Sequence, residues 1–331
     1  MLRLAANESP HGPFPAARAA ALRQLDTLHR YPASGEDLVA RLAEIHGLDP
    51  GQIALGNGGD AVIGYLSIAL LQAGDEVITG WPSFPTYVTD ARKEGAVPVL
   101  VPLRADGAMD LDAMAAAITP RTRLIWVCSP NNPTGASVGR QELDAFLDAV
   151  PAEVLVVLDE AYSDLLPEPQ WERRSLEAGN LVVLHSMTKY WGLAGLRLGH
   201  AVAAPAPAAR LRAAAPPWSV NACAQQAGLA ALADLEHHRR AVALLVAERD
   251  RLAVGLAELG WTVEPTAAGF FLIHGGDAPA LRRALLDRGC LVRDCTSFGL
   301  PGHVRVSPRL PEQNALLLAA FAALTPPEAA A

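Results

Sequence analysis

Leu181-Val182-Val183-Leu184-His185-Ser186-Met187-Thr188-Lys189 starts as an apolar run and turns polar towards its end. Such a run reads as a strand buried on both faces, closing near Ser186. Lys189 lies just past it and is one of only two lysines in the chain. The other, Lys93, sits in Ala91-Arg92-Lys93-Glu94, a charged stretch that reads as a solvated helix face. Arginine carries the remaining positive charge, yet arginine cannot lose its proton and attack a carbonyl. A lysine kept at a strand end in such a chain points to a task that needs an amine. The bland alternatives are chance, or a lysine stem packed on the core.

Outward from this stretch the pattern repeats. Apolar strands are expected at Glu76–Thr79, Val97–Val101, Leu124–Cys128, Val154–Asp159 and His200–Ala203, separated by helical stretches such as Leu111–Ala117 and Gln141–Ala149. Strand and helix in alternation give a mainly parallel sheet covered on both faces, an α/β fold with its site at the strand carboxyl ends. A helix from Glu36 to His46 stops at Gly47, and everything up to Tyr31-Pro32 reads as an extended arm or loop. Past Pro216-Pro217 the pattern changes. A long helical region runs over about Ala222–Leu259 and ends at Gly260. Short strands at Thr262–Glu264, Phe270–His274, Val292–Asp294 and Val304–Ser307 then make an α+β unit. The expected division is a large domain at 33–215 and a smaller one built from 1–32 and 216–331. The terminal Pro-Pro-Glu-Ala-Ala-Ala should fray.

Bulk properties narrow the function. A hydrophobic content of 51% with 19% charged residues supplies ample core and excludes global disorder. The net charge of −8 and the lack of a basic run argue against nucleic acid and anionic membrane as partners. No apolar stretch reaches the roughly 18 residues of a membrane span. The amino terminus turns polar at once, unlike a signal peptide. Cys128, Cys223, Cys290 and Cys295 form no CxxC pair, so a reduced, cytoplasmic chain without a metal site is expected.

Other stretches carry chemistry. Ile53-Ala54-Leu55-Gly56-Asn57-Gly58-Gly59-Asp60-Ala61 is a glycine-rich turn entering an apolar helix that runs to Leu71, a setting that offers free N–H groups to a phosphate. Gly56, Gly58 and Ala61 also satisfy a relaxed dinucleotide fingerprint, but the following strand ends without the acid that would hold a ribose, so a nicotinamide cofactor is not expected. Asp159 closes a strongly apolar strand and needs a cationic or hydrogen-bonding partner. A helix cap or structural ion pair would also account for it. Asn131-Asn132-Pro133-Thr134-Gly135 is by itself only a good turn. Together these features fit an aldehyde-bearing pyridine cofactor with a phosphate. Lys189 would form the Schiff base and Asp159 would face the ring nitrogen. Tyr162 and Asn132 would meet the phenolate oxygen, and an aromatic of Trp81-Pro82-Ser83-Phe84 would stack on the ring. Gly58, Gly59, Ser186, Thr188 and Arg197 would cup the phosphate. The cofactor is pyridoxal 5′-phosphate.

Asn-Asn-Pro-Thr-Gly, Asp-Glu-Ala-Tyr, Ser-x-Thr-Lys and Gly-Leu-Arg-Leu-Gly, in this order and spacing, resemble the class I/II aminotransferases of pyridoxal-phosphate fold type I. The resemblance spans nearly the whole chain and implies a fold type I transferase with a seven-stranded sheet. It makes Lys189 the Schiff-base lysine, Asp159 the ring-nitrogen partner, and Phe84 rather than Trp81 the stacking ring. It assigns Arg197, Ser186, Thr188 and the Gly58-Gly59-Asp60 turn to the phosphate. Tyr31 would reach the phosphate in a neighbouring subunit, implying a homodimer with a shared site. Arg305 would clamp the substrate carboxylate, a bidentate task suited to guanidinium. The substrates implied are a small amino compound and a 2-oxo acid.

Two subgroups compete. The arm Asn7-Glu8-x-Pro10-x-Gly12-Pro13 is similar to that of histidinol-phosphate aminotransferases, which also carry an arginine at the place of Arg293 for the substrate phosphate; Asn7 is then a substrate-side residue. Threonine-phosphate decarboxylases of cobalamin synthesis share that arginine and resemble this chain in Pro217-Trp218-Ser219-Val220-Asn221, in Ser-x-Thr-Lys and in a second arginine, Arg309. Ala61, where both subgroups carry an acid, and the short amino terminus depart from the pattern. The arm and the commoner chemistry favour transamination. A non-enzymatic ligand sensor of this fold would need a DNA-binding domain, for which the chain has no room, and would be expected to lose Lys189.

Overall fold

The computed structural model describes residues 1–327. In chain order the strands are β1 (Leu2–Arg3), β2 (Ile53–Gly56), β3 (Glu76–Trp81), β4 (Val97–Pro102), β5 (Thr122–Cys128), β6 (Leu155–Asp159), β7 (Leu181–Ser186), β8 (Gly199–Ala203), β9 (Phe271–His274), β10 (Cys290–Leu291), β11 (Arg293–Asp294) and β12 (His303–Val306). The helices are α1 (Pro15–Gln24), α2 (Glu36–His46), α3 (Gly59–Leu70), α4 (Thr86–Lys93), α5 (Leu111–Ala116), α6 (Arg140–Ala149), α7 (Pro205–Ala214), α8 (Ala222–Leu232), α9 (Leu235–Glu258), α10 (Ala278–Asp287) and α11 (Pro311–Ala322).

Seven strands form the expected sheet in the order β2-β8-β7-β6-β5-β3-β4. Only β8 runs against the rest, pairing antiparallel with both β2 and β7. The central strands β5, β6 and β7 are almost wholly buried because helices cover both faces. At the rim β4 is different. Expected to be as buried as its sisters, it leaves Val97 and Leu100 exposed, whereas β2 at the opposite rim is covered.

A second, smaller core gathers Leu4, Leu252, Leu256, Trp261, Phe271, Ile273, Val304 and Phe321. It packs around the antiparallel sheet β11-β12-β9 and the two-stranded pair β1-β10, which ties the amino terminus to the far end of the chain. Of the expected strand Thr262–Glu264, only an isolated bridge between Val263 and Ile273 forms.

Three more differences have physical reasons. The segment expected to be extended up to Tyr31 contains α1 and a 3₁₀ turn at Leu25–Thr27. Its run of alanines has the highest helix propensity, and Pro15 suits a first turn, while the short side chains leave no apolar stripe to read. Phe14 and Ala17 pack with α8 into the core of the large sheet, so segments 15–24 and 222–232 belong to that core in packing terms. The long helical region breaks at Ala233-Asp234, where the Asp234 side chain accepts from His237 N–H at 3.0 Å and starts α9. The fraying expected over residues 326–331 concerns mainly 328–331, which lie outside the described residues.

Candidate active site

The carboxyl ends of β5, β6 and β7 converge with the amino end of α3 around one pocket of about 420 Å³, counting its open mouth. Gly59, Asp60, Phe84, Asn132, Asp159, Tyr162, Ser186, Thr188 and Lys189 line it, together with Tyr87 and Cys128. The sheet makes this assembly. Asp159 ends β6, Ser186 ends β7, and the turn after Ser186 carries Thr188 and Lys189. Parallel strands bring the ends at Cys128, Asp159 and Ser186 side by side although they lie far apart in the chain.

At the floor, Asp159 is buried. Its Oδ2 accepts from the Tyr87 hydroxyl at 2.5 Å and its Oδ1 from Ala161 N–H at 2.9 Å. Burial raises the Asp159 carboxyl above the ordinary range, opposed by these two bonds and by the charge of Lys189. Tyr87 stacks on Trp126, with centroids 4.5 Å apart and planes 9° apart. Burial and the neighbouring Asp159 push its own hydroxyl well up, so it stays a donor. Burial likewise pushes the Cys128 thiol to about 12, which keeps it protonated beside the acid.

At the mouth, Lys189 Nζ lies 5.6 Å from the Tyr162 ring centre. The Tyr162 hydroxyl accepts from Asn7 Nδ2 at 2.8 Å, and Asn7 Oδ1 accepts from Ser307 at 2.6 Å. Arg305 is buried; it donates to Asn132 Oδ1 and, at 3.0 Å, to the Ala5 carbonyl. Its Nε has no partner, and no carboxylate neutralises it among the described residues. Arg293 faces Arg305 across the β11–β12 register, and Phe298 lies beneath both guanidiniums, 5.3 and 5.8 Å away. Arg309 donates to the Glu8 carbonyl at 3.5 Å, bracing the arm.

At the side wall, Ser186 and Thr188 hydroxyls touch at 2.7 Å, and Arg197 pairs with Asp60 at 2.9 Å. Gly58, at φ 83°, precedes the first turn of α3; a Cβ there would meet Arg197 at 2.6 Å. The turn is therefore a cradle that a side chain would fill, facing the free N–H groups of a helix start.

The structure thus gathers most of the expected residues. Tyr31 is apart, 76% exposed and stacked on Trp218 at 4.2 Å. Trp81 and Arg293 do not line the pocket, and Asn7, Gly58, Arg197 and Arg305 border its lining residues rather than the cavity itself. Tyr87, Ser307 and Phe298 were not expected. Tyr87 lies on α4, three residues after Phe84, and only the fold shows that it points under Asp159 rather than into the core alone.

The donor set fits pyridoxal 5′-phosphate. Asp159 is a buried acid that wants a cation opposite, as a protonated ring nitrogen would be. The glycine cradle, two hydroxyls and Arg197 suit a phosphate, and Lys189 is an amine within the same cavity. The comparisons agree. The family model "Aminotransferase class I and II" matches residues 1–321. A histidinol-phosphate aminotransferase 2 from Ralstonia nicotianae is 43% identical over 100% of this chain and 91% of its own length. An aromatic amino acid aminotransferase from Streptomyces avermitilis is 42% identical over 83% of this chain and 78% of its own. The solved histidinol-phosphate aminotransferase of Sinorhizobium meliloti, in complex with pyridoxal 5′-phosphate, superposes with a TM-score of 0.88 at 28% identity, covering 97% of this chain and 89% of that one. The chain belongs to the class I and II aminotransferases, pyridoxal-phosphate-dependent transferases of fold type I.

Proposed function

We propose that the chain is a histidinol-phosphate aminotransferase, exchanging an amino group between L-histidinol phosphate and 2-oxoglutarate. One observation carries this reading: Arg305 is a buried guanidinium without an anionic partner, with Arg293 opposite it in register. A buried cation of this kind is costly unless an anion arrives. The two half-reactions bring different anions, a phosphate and a carboxylate, to the same arginine pair.

When bound, the cofactor supplies an electron sink for the pair left at substrate Cα. Lys189, the one amine lining the pocket, would hold the cofactor's aldehyde carbon and, as a free amine, would serve as the base for the substrate Cα proton. Asp159, held as a carboxylate by Tyr87 and Ala161, faces the ring nitrogen. Tyr162 and Asn132 meet the phenolate oxygen, and Asn7 takes the acceptor side of the Tyr162 hydroxyl so that its proton points inward. Phe84 stacks on the ring. Gly58, Gly59, Asp60, Ser186, Thr188 and Arg197 hold the phosphate. Arg305 and Arg293 would fix the substrate's anion, a carboxylate in one half-reaction and a phosphate in the other, and so orient the Cα–H bond towards Lys189. The chain works in the cytoplasm as a homodimer, with Tyr31 completing the partner's phosphate cup. The part that closes over substrate is the second core, with the first few residues riding on it through β1, while segments 15–24 and 222–232 stay with the large core although the expected division grouped 1–32 with 216–331.

Relatives at 39–42% identity named aromatic amino acid aminotransferases support a second reading. A threonine-phosphate decarboxylase from Porphyromonas gingivalis is similar at 25% identity with a TM-score of 0.86, which gives the decarboxylase alternative some support. Steady-state assays with L-histidinol phosphate, L-phenylalanine, L-tyrosine and L-threonine phosphate separate the three. The proposal expects glutamate from histidinol phosphate with kcat/KM at least about tenfold above the aromatic amino acids, and Arg293→Ala to erase that margin. A preference for phenylalanine or tyrosine, or carbon dioxide released from threonine phosphate, overturns it.

A further inference from the structure

The face of the sheet opposite the pocket carries an unexplained cluster. His185 on β7 and His200 on β8 are direct partners in the antiparallel register, so their rings share one face and stack with centroids 4.8 Å apart. His46, in the last turn of α2, closes the triangle at 5.0 and 5.3 Å from them. One ring nitrogen from each lies within 4.8 Å of the others, and His46 Nε2 is 3.1 Å from His200 Nε2. That contact is the cluster's one internal hydrogen bond. His185 Nε2 and His200 Nδ1 are buried with no partner, and the His200 residue is only 5% exposed. Beside it, Glu160 is 4% exposed; its Oε2 sits 3.6 Å from His185 Nδ1 and its Oε1 has no partner. The cluster adjoins a cavity lined by His46, Glu160, Asp164, Trp171 and His185.

We propose that His46, His185 and His200 form a binding site for a divalent transition ion of the zinc class. Three imidazole nitrogens are the donor set that favours zinc, nickel or copper over magnesium or calcium. Zinc–nitrogen bonds of about 2.0–2.1 Å require the ligand nitrogens to draw to roughly 3.3 Å from one another, and one pair already stands at 3.1 Å. The cavity leaves a fourth position for water. Glu160 beside His185 Nδ1 is placed to orient that ring, the arrangement by which a carboxylate fixes a ligating histidine. The ion joins α2, β7 and β8 directly behind Ser186 and Asp159. The site stands apart from the transamination reading and departs from the expectation of no metal. That expectation rested on cysteine spacing, whereas these histidines are separated by up to 154 residues.

The test uses the untagged holoenzyme, dialysed against a chelator and then equilibrated with Zn²⁺ or, for its visible spectrum, Co²⁺. Elemental analysis should find one Zn²⁺ per chain, and Co²⁺ should develop the intense bands of a low-symmetry nitrogen site. His200→Phe and His46→Gln should each abolish both signals while the cofactor's absorbance persists. Glu160→Gln should weaken binding about 10–100-fold. Should His200→Phe fail to fold, His46→Gln, at a half-buried helix end, decides. No bound ion in the parent protein overturns the proposal. So does an ion retained by either histidine variant, because it must then sit elsewhere, such as the His274–His303 pair.

Discussion

Tyr87→Phe removes one oxygen atom and leaves the packing alone. The ring keeps its stack on Trp126 and its edge contact with Phe84, 5.7 Å away at 80°. What is lost is the 2.5 Å bond to Asp159 Oδ2, which leaves Ala161 N–H as the one donor to that carboxylate within the floor. A hydrogen bond to a buried charged group contributes about 1.5–3 kcal/mol. If Asp159 holds the cofactor's ring nitrogen, kcat/KM or cofactor affinity should fall roughly 10- to 100-fold. The pH response has a definite sign. Burial raises the Asp159 carboxyl and the Tyr87 bond opposes that rise, so its loss raises the folded-state value further. Asp159 acts as a carboxylate, above its pKa, so the acid limb of kcat/KM moves to higher pH. The stability effect runs the same way. A carboxyl raised by folding loses stability as pH climbs from its unfolded to its folded value, so the variant should lose more at neutral than at acid pH. Stopped-flow half-reactions across pH, with spectroscopic titration of the cofactor, measure all three. An acid limb in the same place and cofactor affinity within about twofold of the parent would refute the reasoning.

Two further experiments probe features on which the pocket depends. A Cβ at Gly199 would lie 2.8 Å from both Gly58 C and Gly59 N and 3.1 Å from the His185 carbonyl, all backbone atoms. Gly199→Ala should therefore cost about 1–3 kcal/mol and loosen the phosphate cup, read as a lower Tm and faster cofactor loss, whereas Gly195→Ala, with nothing within 4 Å, should change neither. For the shared site, co-expressing Tyr31→Ala with Lys189→Ala should restore about a quarter of parental activity through mixed dimers carrying one intact site, while activity no higher than the two variants alone would rule out Tyr31 acting across subunits.

Legibility followed the physics of each element. The buried strands and their polar ends were readable because continuous apolar runs and sudden polar residues are local signals, and α2 was readable to the residue because Gly47 takes the left-handed cap. Helix α1 was not, since alanines that pack closely need no stripe. The α8–α9 break hinged on one capping aspartate inside an alanine-leucine run. Lys189, Asp159, Tyr162 and Asn132 carry motifs and were found. Tyr87 carries none, and its value comes from the α4 orientation that aims it beneath β6. The histidine triangle is less readable still, because it depends on which residue of β8 opposes His185, and antiparallel register leaves no mark in either strand alone.

The two cores also bear on how such a chain changes its diet. Phe298 beneath the arginine pair packs with Leu272 and Cys295, apart from the cluster that supports Asp159 and the sheet. Arg305 on Asn132 and the Ser307–Asn7–Tyr162 relay tie the hairpin to the machinery that handles the amine, so the freedom to redraw the anion reader lies at Arg293 and Phe298. A scaffold built in this way diversifies at a few positions of that hairpin while its chemistry stands still. That is a structural reason why relatives named for a phosphorylated imidazole alcohol and for aromatic amino acids sit at nearly the same distance from this sequence.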